Sequence, residues 1–400
     1  MKSISHILKA AKRKIRNLRF MRYRMDYAMP VLSYIRGNAG EILFDQKYER
    51  VSYPPLYIED SIKTNPFVEK VEQYICELRN VKVVGSSNIV YARKGIIIYD
   101  LLCSDNPNYR ITDIGFVRHN GHPIRIMGKY LSHYLKPCIH VETAINMVCN
   151  FSNNYYHFVM ELMAKFFLLT KCHIPENIPL IVDEKIGEIP QMNEILRLFA
   201  GNRKVIYLGY NQICEINKLY CLSSVNQIIP NYVDDRKVSF KDNMYCPEAI
   251  CFIRNTLLSY VANDEKTFPK RVYIARKNNK NRSYNEEELI DIASKYGFEA
   301  ISPEDYSAKE QFRLFSMVDV VIAPSGAALT NIVCCKPNCK ILVLYSQKLE
   351  LSIFSSIAGC LNLDLRYLIG KSHDMTNLQS SFTIDEKSFK DSIISWLIKN

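Results

Sequence analysis

A histidine and a glutamate stand four residues apart where an apolar helical pattern begins, within the sequence NNYYHFVMEL (153–162). Side chains at positions i and i+4 share one face of a helix, so His157 and Glu161 can form a pair. Such a pair could be a general base and its orienting partner, or two groups that grip the hydroxyls of a ligand. A capped helix with one hydrogen-bonded histidine explains the same spacing, and both interpretations stay open.

Three residues directly before this pair extend the candidate site to the start of the helix. Asn154 could cap the helix, a position that asparagine favours, or contact a ligand. Tyr155 and Tyr156 offer flat aromatic faces on which a ring of a ligand could stack.

A second candidate site lies in VVIAPSGAALTN (320–331), where a buried strand pattern turns into a helix. Ligands of open α/β sheets bind beyond the carboxyl ends of the strands, and the N–H groups of a helix N-terminus bind anions. Small residues in this turn would let a phosphate or ribose approach the backbone. They are Ser325, Gly326, Ala327 and Ala328. A plain strand–helix turn, in which Gly326 only relieves strain, is the alternative.

A basic loop follows another strand, in RVYIARKNNKNRSY (271–284). Arg276 and Arg282 could each fork onto a phosphate, and Lys277 and Lys280 add charge. A solvated basic loop is the other interpretation. Parallel strands end at one edge of their sheet, so this loop and the turn after residue 324 should converge, which fits a diphosphate.

Glu310 follows Ser307 by three residues, the spacing of a capping box at a helix start. That structural role explains the glutamate by itself. A second role, in which its carboxylate accepts hydrogen bonds from ribose hydroxyls, is also possible for this residue type.

The elements that position these residues alternate between strands and helices, which predicts βαβ units and a parallel sheet. Helical spacing is present at 66–79, and the stretch 225–246 is irregular and is interpreted as a linker. In the first half we expect strands at 138–151, 178–184, 204–209 and 218–224 and helices at 153–170 and 190–200. In the second half we expect strands at 271–277, 298–302, 318–326 and 339–345 and helices at 247–262, 285–296, 307–317 and 327–335.

We therefore expect an α/β protein with three parts. A basic amphipathic segment occupies residues 1–30, an N-terminal α/β domain residues 31–240, and a C-terminal Rossmann-like domain residues 241–400. The last helix of the chain could pack back on the N-terminal domain.

Composition sets the broad class. The 400 residues are 48% hydrophobic and 23% charged, which is typical of a soluble globular protein. No export signal or membrane-spanning run is recognisable, so we expect a cytoplasmic chain with its 13 cysteines reduced. Cys334, Cys335 and Cys339 lack a second pair at zinc-site spacing, and we interpret them as small buried hydrophobic residues instead of a metal site.

Positive charge is concentrated at the N-terminus. Residues 1–25 carry nine lysines and arginines and no acid, which accounts for all but two units of the net charge of +11. The nearly neutral remainder argues against a nucleic-acid-binding protein. Within this segment Ile4, Leu8, Ala11, Ile15 and Leu18 form an apolar stripe flanked by cations, which suits the anionic surface of a cytoplasmic membrane leaflet. A solvated basic tail is the alternative.

Several segments, taken in order, resemble the glycosyltransferase 61 family, formerly described as a domain of unknown function. They are NYYHFVME (154–161), YIARK with Arg282 (273–282), Glu310-Gln311 and VDVVIAPSGAALTN (318–331), and the resemblance spans about residues 80–345. It implies a GT-B architecture, in which two Rossmann-like domains face each other across a cleft. It also implies inverting transfer from a nucleotide sugar without an essential metal or other cofactor.

The resemblance implies which site residues would bind the donor, which would bind the acceptor and which would act as the base. Arg276 and Arg282 would face the donor diphosphate, with the 325–328 turn, Glu310 and Asn331 lining the same pocket. Asn154, Tyr155 and Tyr156 would contact the acceptor. His157 is expected to be the base, with Glu161 orienting it or serving in its place.

The resemblance also implies a cellular location for the protein. Bacterial members of such families build capsule, O-antigen or similar surface polysaccharides on lipid carriers, so we expect a peripheral enzyme at the inner face of the cytoplasmic membrane. The family turn usually reads His-Gly-Ala, whereas this chain has Ser325-Gly326-Ala327, which leaves the donor open. Three alternatives follow: a transferase that uses a CMP-activated acid sugar, an inactive nucleotide-binding relative, and a membrane or nucleic-acid adaptor led by the basic tail.

Overall fold

The computed structural model describes residues 22–398 with short gaps, and the following account is confined to those residues. The gaps are 38–39, 62–64, 93–94, 100–108, 110–112, 114–115, 120–121, 128, 135–138, 230–231, 233, 235–236, 277–281 and 378. Two sheets organise the described chain, one large and mixed and one parallel. The α/β class expected from the sequence is confirmed.

The strands in chain order are β1 (Arg22–Pro30), β2 (Glu41–Ser52), β3 (Phe67–Val84), β4 (Val90–Tyr91), β5 (Ile96–Tyr99), β6 (Arg118–His119), β7 (His122–Pro123), β8 (Arg125–Ile126), β9 (Lys129–Tyr134), β10 (Ile139–Asn146), β11 (Leu180–Asp183), β12 (Val205–Leu208), β13 (Ile213–Leu222), β14 (Arg271–Ile274), β15 (Glu299–Ile301), β16 (Val320–Pro324), β17 (Lys340–Tyr345), β18 (Asp364–Ile369), β19 (Lys371–Ser372) and β20 (Phe382–Thr383).

The helices are α1 (Val31–Arg36), α2 (Tyr155–His157, continued by the π-helical segment Phe158–Met163 and by Ala164–Leu169), α3 (Glu184–Glu188), α4 (Pro190–Ala200), α5 (Pro247–Tyr260), α6 (Glu286–Ser294), α7 (Ala308–Met317), α8 (Ile353–Cys360) and α9 (Glu386–Ser392, continued by the π-helical segment Ile393–Leu397). Short 3-10 helices lie at Phe240–Asp242, Pro303–Asp305 and Ala327–Cys334. None of the described helices combines the length and apolar character that a membrane span requires.

The mixed sheet has the order β12-β11-β10-β13-β3-β4-β5-β1-β9-β8, with β2 paired to β3. Strands β12, β11, β10 and β13 are parallel to one another, and β3 joins them antiparallel. The strands expected between residues 138 and 224 are confirmed, but the helix expected at 66–79 is wrong. That sequence lies in β3, an 18-residue strand held between β2 and β13.

The error in β3 has a physical cause. A strand with one buried face alternates apolar and polar residues, but the centre of β3, Gln73 to Leu78, is buried on both faces. The alternation is therefore lost there, and the remaining apolar residues happen to recur at helical spacing. Hydrogen bonds to two neighbouring strands outweigh the local preference.

The parallel sheet has the order β15-β14-β16-β17-β18. Every expected strand of the second half is present. Since β15 lies on one side of β14 and β16 on the other, the direction of winding reverses between β14 and β16. In doubly wound sheets such a switch point opens a crevice at the carboxyl ends of the two strands, where ligands bind.

The two halves of the chain are packed together. Residue Tyr57 forms a bridge with Tyr367 on β18, and Val51 forms one with Tyr245. The stretch 225–246, interpreted as a linker, is folded against the remainder, with Val225 and Ile228 buried. The π-helical continuation of α9 belongs to the cluster on the parallel sheet that contains Leu342 and Leu368, and Ile58 of the N-terminal half packs against the same cluster.

The N-terminal segment is described only in part. Residues 22–30 form β1, which pairs with β5 and β9, so the sheet begins inside the segment 1–30. The apolar stripe between Ile4 and Leu18 lies outside the described residues.

Candidate active site

The switch point brings Arg276 against the turn that follows β16. Its guanidinium donates a hydrogen bond to the carbonyl oxygen of Ser325 and a longer one, 3.4 Å, to that of Arg282. Gly326 makes room for this contact, because a Cβ there would lie 3.0 Å from Nη2 of Arg276. Its φ of 178° is extended backbone, so the glycine is needed for space. The predicted convergence of the two loops is thus present, although Lys277 and Lys280 lie outside the described residues.

The two arginines bring positive charge and an unsatisfied donor to the switch point. Burial, and then the neighbouring Arg282, lowers the pKa of the Arg276 guanidinium. Nε of Arg282 is buried and has no hydrogen-bond partner in the described part of the chain. Arg282 also has a φ of +55°, which is unfavourable for a residue with a side chain. Unsatisfied donors, like charges and strain in one place are typical of a binding site.

A pocket with an empty volume of about 680 Å³ opens beside these groups. Its polar lining residues are Arg282, the 325–327 turn and Asn154 at the start of α2. The other lining residues are aromatic or apolar: Tyr57, Tyr156, Tyr345, Leu349, Leu351, Ile353, Phe354 and Tyr367. Tyr57 fixes part of this apolar lining, since its hydroxyl donates to the Leu349 carbonyl (2.6 Å) and accepts from the Leu349 N–H (3.1 Å). The mixed lining of polar and aromatic side chains is typical of a small-molecule site.

Helix α2 approaches the pocket through its first turn. Asn154 is the N-cap, and its side-chain oxygen accepts from the Tyr156 N–H at 3.0 Å. The Tyr155 hydroxyl donates to Oδ1 of Asn331 at 2.5 Å, and Nδ2 of Asn331 donates to Gln311 at 2.8 Å. Two residues expected to contact acceptor and donor respectively, Tyr155 and Asn331, therefore bond to each other and join the two halves.

The predicted pair of His157 and Glu161 is present. Nδ1 of the histidine lies 2.5 Å from Oε2 of the glutamate, and the two side chains are only 11% and 13% exposed. The histidine ring packs between Phe151 and Tyr156, with ring centroids 5.5 and 5.2 Å away. With a proton on Nδ1 donated to the carboxylate, the ring presents Nε2 as a base. The glutamate lies in the π-helical segment, a conformation frequent at functional sites.

The sequence-predicted residues take three positions relative to the pocket. Six of them line the pocket: Asn154, Tyr156, Arg282, Ser325, Gly326 and Ala327. Arg276 supports the pocket through its contact with the turn. The remaining six are not among its lining residues: Tyr155, His157, Glu161, Glu310, Ala328 and Asn331.

Glu310 forms the capping box predicted for it. Its Oε2 accepts from the Ser307 N–H at 2.9 Å, and its Oε1 pairs with Nζ of Lys266 at 2.5 Å. The ammonium group and these hydrogen bonds lower the pKa of Glu310 to about 2. Its described contacts are therefore the capping box at the helix start and the ion pair with Lys266.

We expect Glu310→Ala to behave as a loss of a helix cap. The free energy of unfolding should fall by about 1 kcal/mol, a typical cost of such a loss. The Michaelis constant for the donor should stay within about twofold of wild type, because the carboxylate does not line the pocket. Chemical denaturation and donor kinetics measure the two quantities, with Glu304→Ala as a control on a neighbouring acid. A large rise in the Michaelis constant at unchanged stability would assign Glu310 to the donor after all.

Asp183, at the end of β11, was not recognised in the sequence as part of the site. The residue is 1% exposed, and its carboxylate accepts from the backbone N–H groups of Ser86 and Cys149, the latter at 3.2 Å. It thereby ties two loops together, and the second loop carries Phe151, which packs on His157. A lone aspartate after a strand gives no spacing signal, so only the folded structure reveals this role.

Burial raises the pKa of Asp183 from 3.8 to about 6, against hydrogen bonds that lower it. The folded state therefore binds more protons than the unfolded state between these two values, and the free energy of unfolding falls as pH rises through that window. We expect this group to account for a fall of roughly 3 kcal/mol between about pH 4 and pH 6. Denaturation across that range measures the free energy of unfolding of wild type and of Asp183→Asn. The value for wild type relative to the variant should fall by this amount as pH rises, whereas parallel curves would contradict the assignment.

The cysteine cluster is buried, as interpreted from the sequence. Cys334, Cys335 and Cys339 all lie in the interior, and burial raises the pKa of the Cys335 thiol well above its usual range. No group of three or more His, Cys, Asp or Glu side chains in the described chain is arranged to hold a metal ion.

Taken together, two arginines at the switch point of a parallel sheet and a histidine–carboxylate pair in the helix that borders the pocket suit a group-transfer enzyme. Residues 155–342, a little under half of the chain, match the family model described as Glycosyltransferase 61. The match supports the resemblance seen in the sequence, and the protein is a glycosyltransferase. The family match implies a nucleotide-sugar donor and a glycan acceptor. No curated protein matches the chain.

Proposed function

We propose that the protein is an inverting glycosyltransferase that moves a sugar from a nucleotide sugar to a growing cell-surface glycan. The donor occupies the pocket between the 325–327 turn and the start of α2. The two halves then face each other across this pocket in the manner of a GT-B enzyme, with the donor held by the parallel sheet.

The observation that carries the proposal is the arginine pair at the switch point. Arg276 and Arg282 lie together there, and Nε of the pocket-lining Arg282 is buried without a hydrogen-bond partner among the described residues. A diphosphate would supply the missing negative charge and acceptors. The same guanidinium groups stabilise the nucleoside diphosphate as it leaves, in the role that a divalent ion has in other transferases. We accordingly expect the rate to be insensitive to EDTA.

The base in this proposal is His157. Nε2 takes the proton of an acceptor hydroxyl while the hydroxyl oxygen attacks the anomeric carbon of the donor. The bond from that carbon to the phosphate oxygen breaks, its electron pair leaves with the nucleoside diphosphate, and the configuration inverts. Glu161 holds the imidazole through Nδ1 and stabilises its positive charge. The position of the pair, one residue beyond the pocket-lining Tyr156, supports this assignment.

Ser325 replaces the histidine that is usual in the family turn. Its side chain lines the pocket, and it can donate a hydrogen bond but carries no charge. The donor pocket thus depends on the two arginines for positive charge, which strengthens the case for a diphosphate over a singly charged CMP-linked donor.

The acceptor is proposed to be lipid-linked, with the enzyme at the inner face of the cytoplasmic membrane. The basic residues before β1 support this location. Because the described strand β1 begins at Arg22, a truncation of residues 1–21 leaves that strand whole. We expect that truncation to lower recovery of the protein with membranes and to leave its folding unchanged. Undiminished recovery would exclude this segment as the anchor.

Thermal stabilisation by UDP, GDP, CMP, dTDP and their sugars tests the proposed donor site. A ligand that binds only the folded state raises its stability, by about 2.7 kcal/mol at a concentration one hundred times the dissociation constant. We expect one nucleoside diphosphate to give a clear shift. The absence of any shift in a folded sample would refute the donor site, and a shift with CMP alone would favour an acid-sugar donor.

A further inference from the structure

The hairpin of β8 and β9 exposes two large apolar side chains at its turn. Met127 is 95% exposed and Ile126 is 54% exposed, and Ile126 pairs with Lys129 across the hairpin. On the neighbouring strand β1, Tyr27 is 50% exposed. These three belong to a set of only seven large apolar side chains exposed in the described chain, and the other four are Val68, Tyr210, Met375 and Ile394. An apolar group this concentrated marks a contact surface.

Cations frame this apolar group. Nζ of Lys129 lies 4.6 Å above the ring of Tyr27, and the guanidinium of Arg125 lies 5.3 Å from the ring centre of Tyr130. The nearest acid in sequence, Asp26, is buried and accepts a hydrogen bond from Ser132, so its charge does not face outward. Apolar side chains flanked by tyrosine, lysine and arginine are the composition that proteins present to the interface of a bilayer.

Charge and apolar character together favour a membrane as the occupant. Strand β9 pairs with β1, which begins at Arg22 directly after the 21 residues that precede the described chain. That stretch carries seven lysines and arginines and no acid. Since β1 and β9 are antiparallel and Arg22 pairs with Tyr134, β1 begins at the end of β9 away from the hairpin turn, and the charge beside the apolar tip comes from Arg125 and Lys129. A partner protein would need an acidic surface with an apolar centre, whereas an anionic bilayer supplies both chemistries at once.

We propose that the β8–β9 hairpin inserts Ile126 and Met127 into the surface of an anionic bilayer, with Arg125, Lys129 and Tyr27 at the level of the headgroups. This hairpin is a second membrane contact besides residues 1–21, and it fixes the orientation that a tail alone leaves free. The inference rests on the proposed function only for the location at a membrane. Seven steps along the strand order separate β10, which leads into the active-site helix, from β8. Substitutions at the hairpin tip therefore leave the donor pocket intact.

The test compares vesicle binding of full-length variants. Ile126→Thr/Met127→Asn removes the apolar tip with residues that suit a strand and the positive φ of 48° at position 127. Tyr210→Asn/Met375→Asn removes two other exposed apolar side chains and is the matched control. Co-sedimentation with phosphatidylcholine vesicles, with and without phosphatidylglycerol, measures the partition coefficient.

We expect the hairpin variant to bind anionic vesicles about tenfold more weakly than wild type, because partial burial of one isoleucine and one methionine is lost. The control variant should bind as wild type does. In chains lacking residues 1–21, the same substitutions should lower the remaining binding further. Equal binding of the hairpin variant and wild type overturns the proposal, and so does an equal loss in the control.

Two further readouts distinguish membrane insertion by the hairpin from effects on the donor site and on self-association. Nucleotide-induced thermal stabilisation should be unchanged in the hairpin variant, so failure of the donor site and failure of the hairpin are distinguishable. Light scattering without lipid should show the same mass for the variant and wild type. A change from a larger assembly to a monomer, with vesicle binding unaltered, would assign the hairpin to contacts between copies of this chain and overturn the membrane proposal.

Discussion

His157→Ala is expected to lower kcat by about 10²–10⁴-fold, the usual contribution of a positioned general base. The loss should appear in kcat with little change in nucleotide binding, because His157 is not among the residues that line the donor pocket. Initial rates at saturating donor and acceptor give kcat, and thermal stabilisation by the nucleotide reports the donor site. The ring packs between Phe151 and Tyr156, so the unfolding temperature must be measured alongside.

Glu161→Gln separates the two assignments of the base. The amide oxygen can still accept a hydrogen bond from Nδ1 of His157, now 2.5 Å from the carboxylate, but it no longer balances a positive imidazole. If His157 is the base, we expect a smaller loss than in His157→Ala and a double variant no worse than His157→Ala alone, since the two residues act as one unit. A loss in Glu161→Gln that equals or exceeds that of His157→Ala would make the glutamate the base. Full activity in both single variants would place the base elsewhere, whereas nucleotide binding without any transfer by wild type would favour an inactive or binding-only relative.

Arg276→Ala should remove nucleotide-induced stabilisation and lower kcat/KM by about 10²–10³-fold, as expected for loss of a preorganised charge on the leaving group. The guanidinium both supplies charge and holds the turn through the Ser325 carbonyl. Calorimetric titration with the nucleotide that stabilises wild type most measures the loss of nucleotide affinity. Steady-state kinetics measures the loss in kcat/KM.

Arg276→Lys and Lys295→Ala provide the controls for this variant. Lysine keeps the charge but lacks the planar fork with which arginine pairs two N–H donors with one phosphate, so we expect partial loss. Lys295 is an exposed residue at the end of α6, and its removal changes the net charge by the same amount without touching the pocket. Similar losses of nucleotide binding and kcat/KM in Arg276→Ala and Lys295→Ala would show that the effect is long-range electrostatics. That result would contradict the donor site.

Local signals in the sequence were sufficient for most elements of the second half. The capping box of Ser307 and Glu310, the acidic first turn of α6 and the positive-φ Gly297 mark helix ends through contacts within a few residues. Even there the structure adds something, because the Asn285 side chain bonds to the backbone of Ile384 instead of capping α6. A partner almost one hundred residues away has no trace in local spacing.

The candidate site also combines residues that the sequence located with contacts that only the structure revealed. The sequence located His157, Glu161, Arg276 and the 325–327 turn, because residue type and position at strand or helix ends restrict the chemistry available. It did not find Tyr57, whose hydroxyl fixes the Leu349 segment from nearly three hundred residues away. Nor did it find Asp183 or the bond between Tyr155 and Asn331. These contacts exist only once distant segments have packed.

By itself, the sequence determined the α/β class, the order of most elements between residues 178 and 345 and the two polar motifs of the candidate site. Periodicity, capping and strand-end position are properties of neighbouring residues, and they are encoded where they act. Tertiary structure alone decided that residues 67–84 form a strand, that β14 and β16 flank the switch point, and which side chains wall the pocket. Those outcomes depend on pairing and packing between segments far apart in the chain, where the free energy of the whole arrangement outweighs local preference.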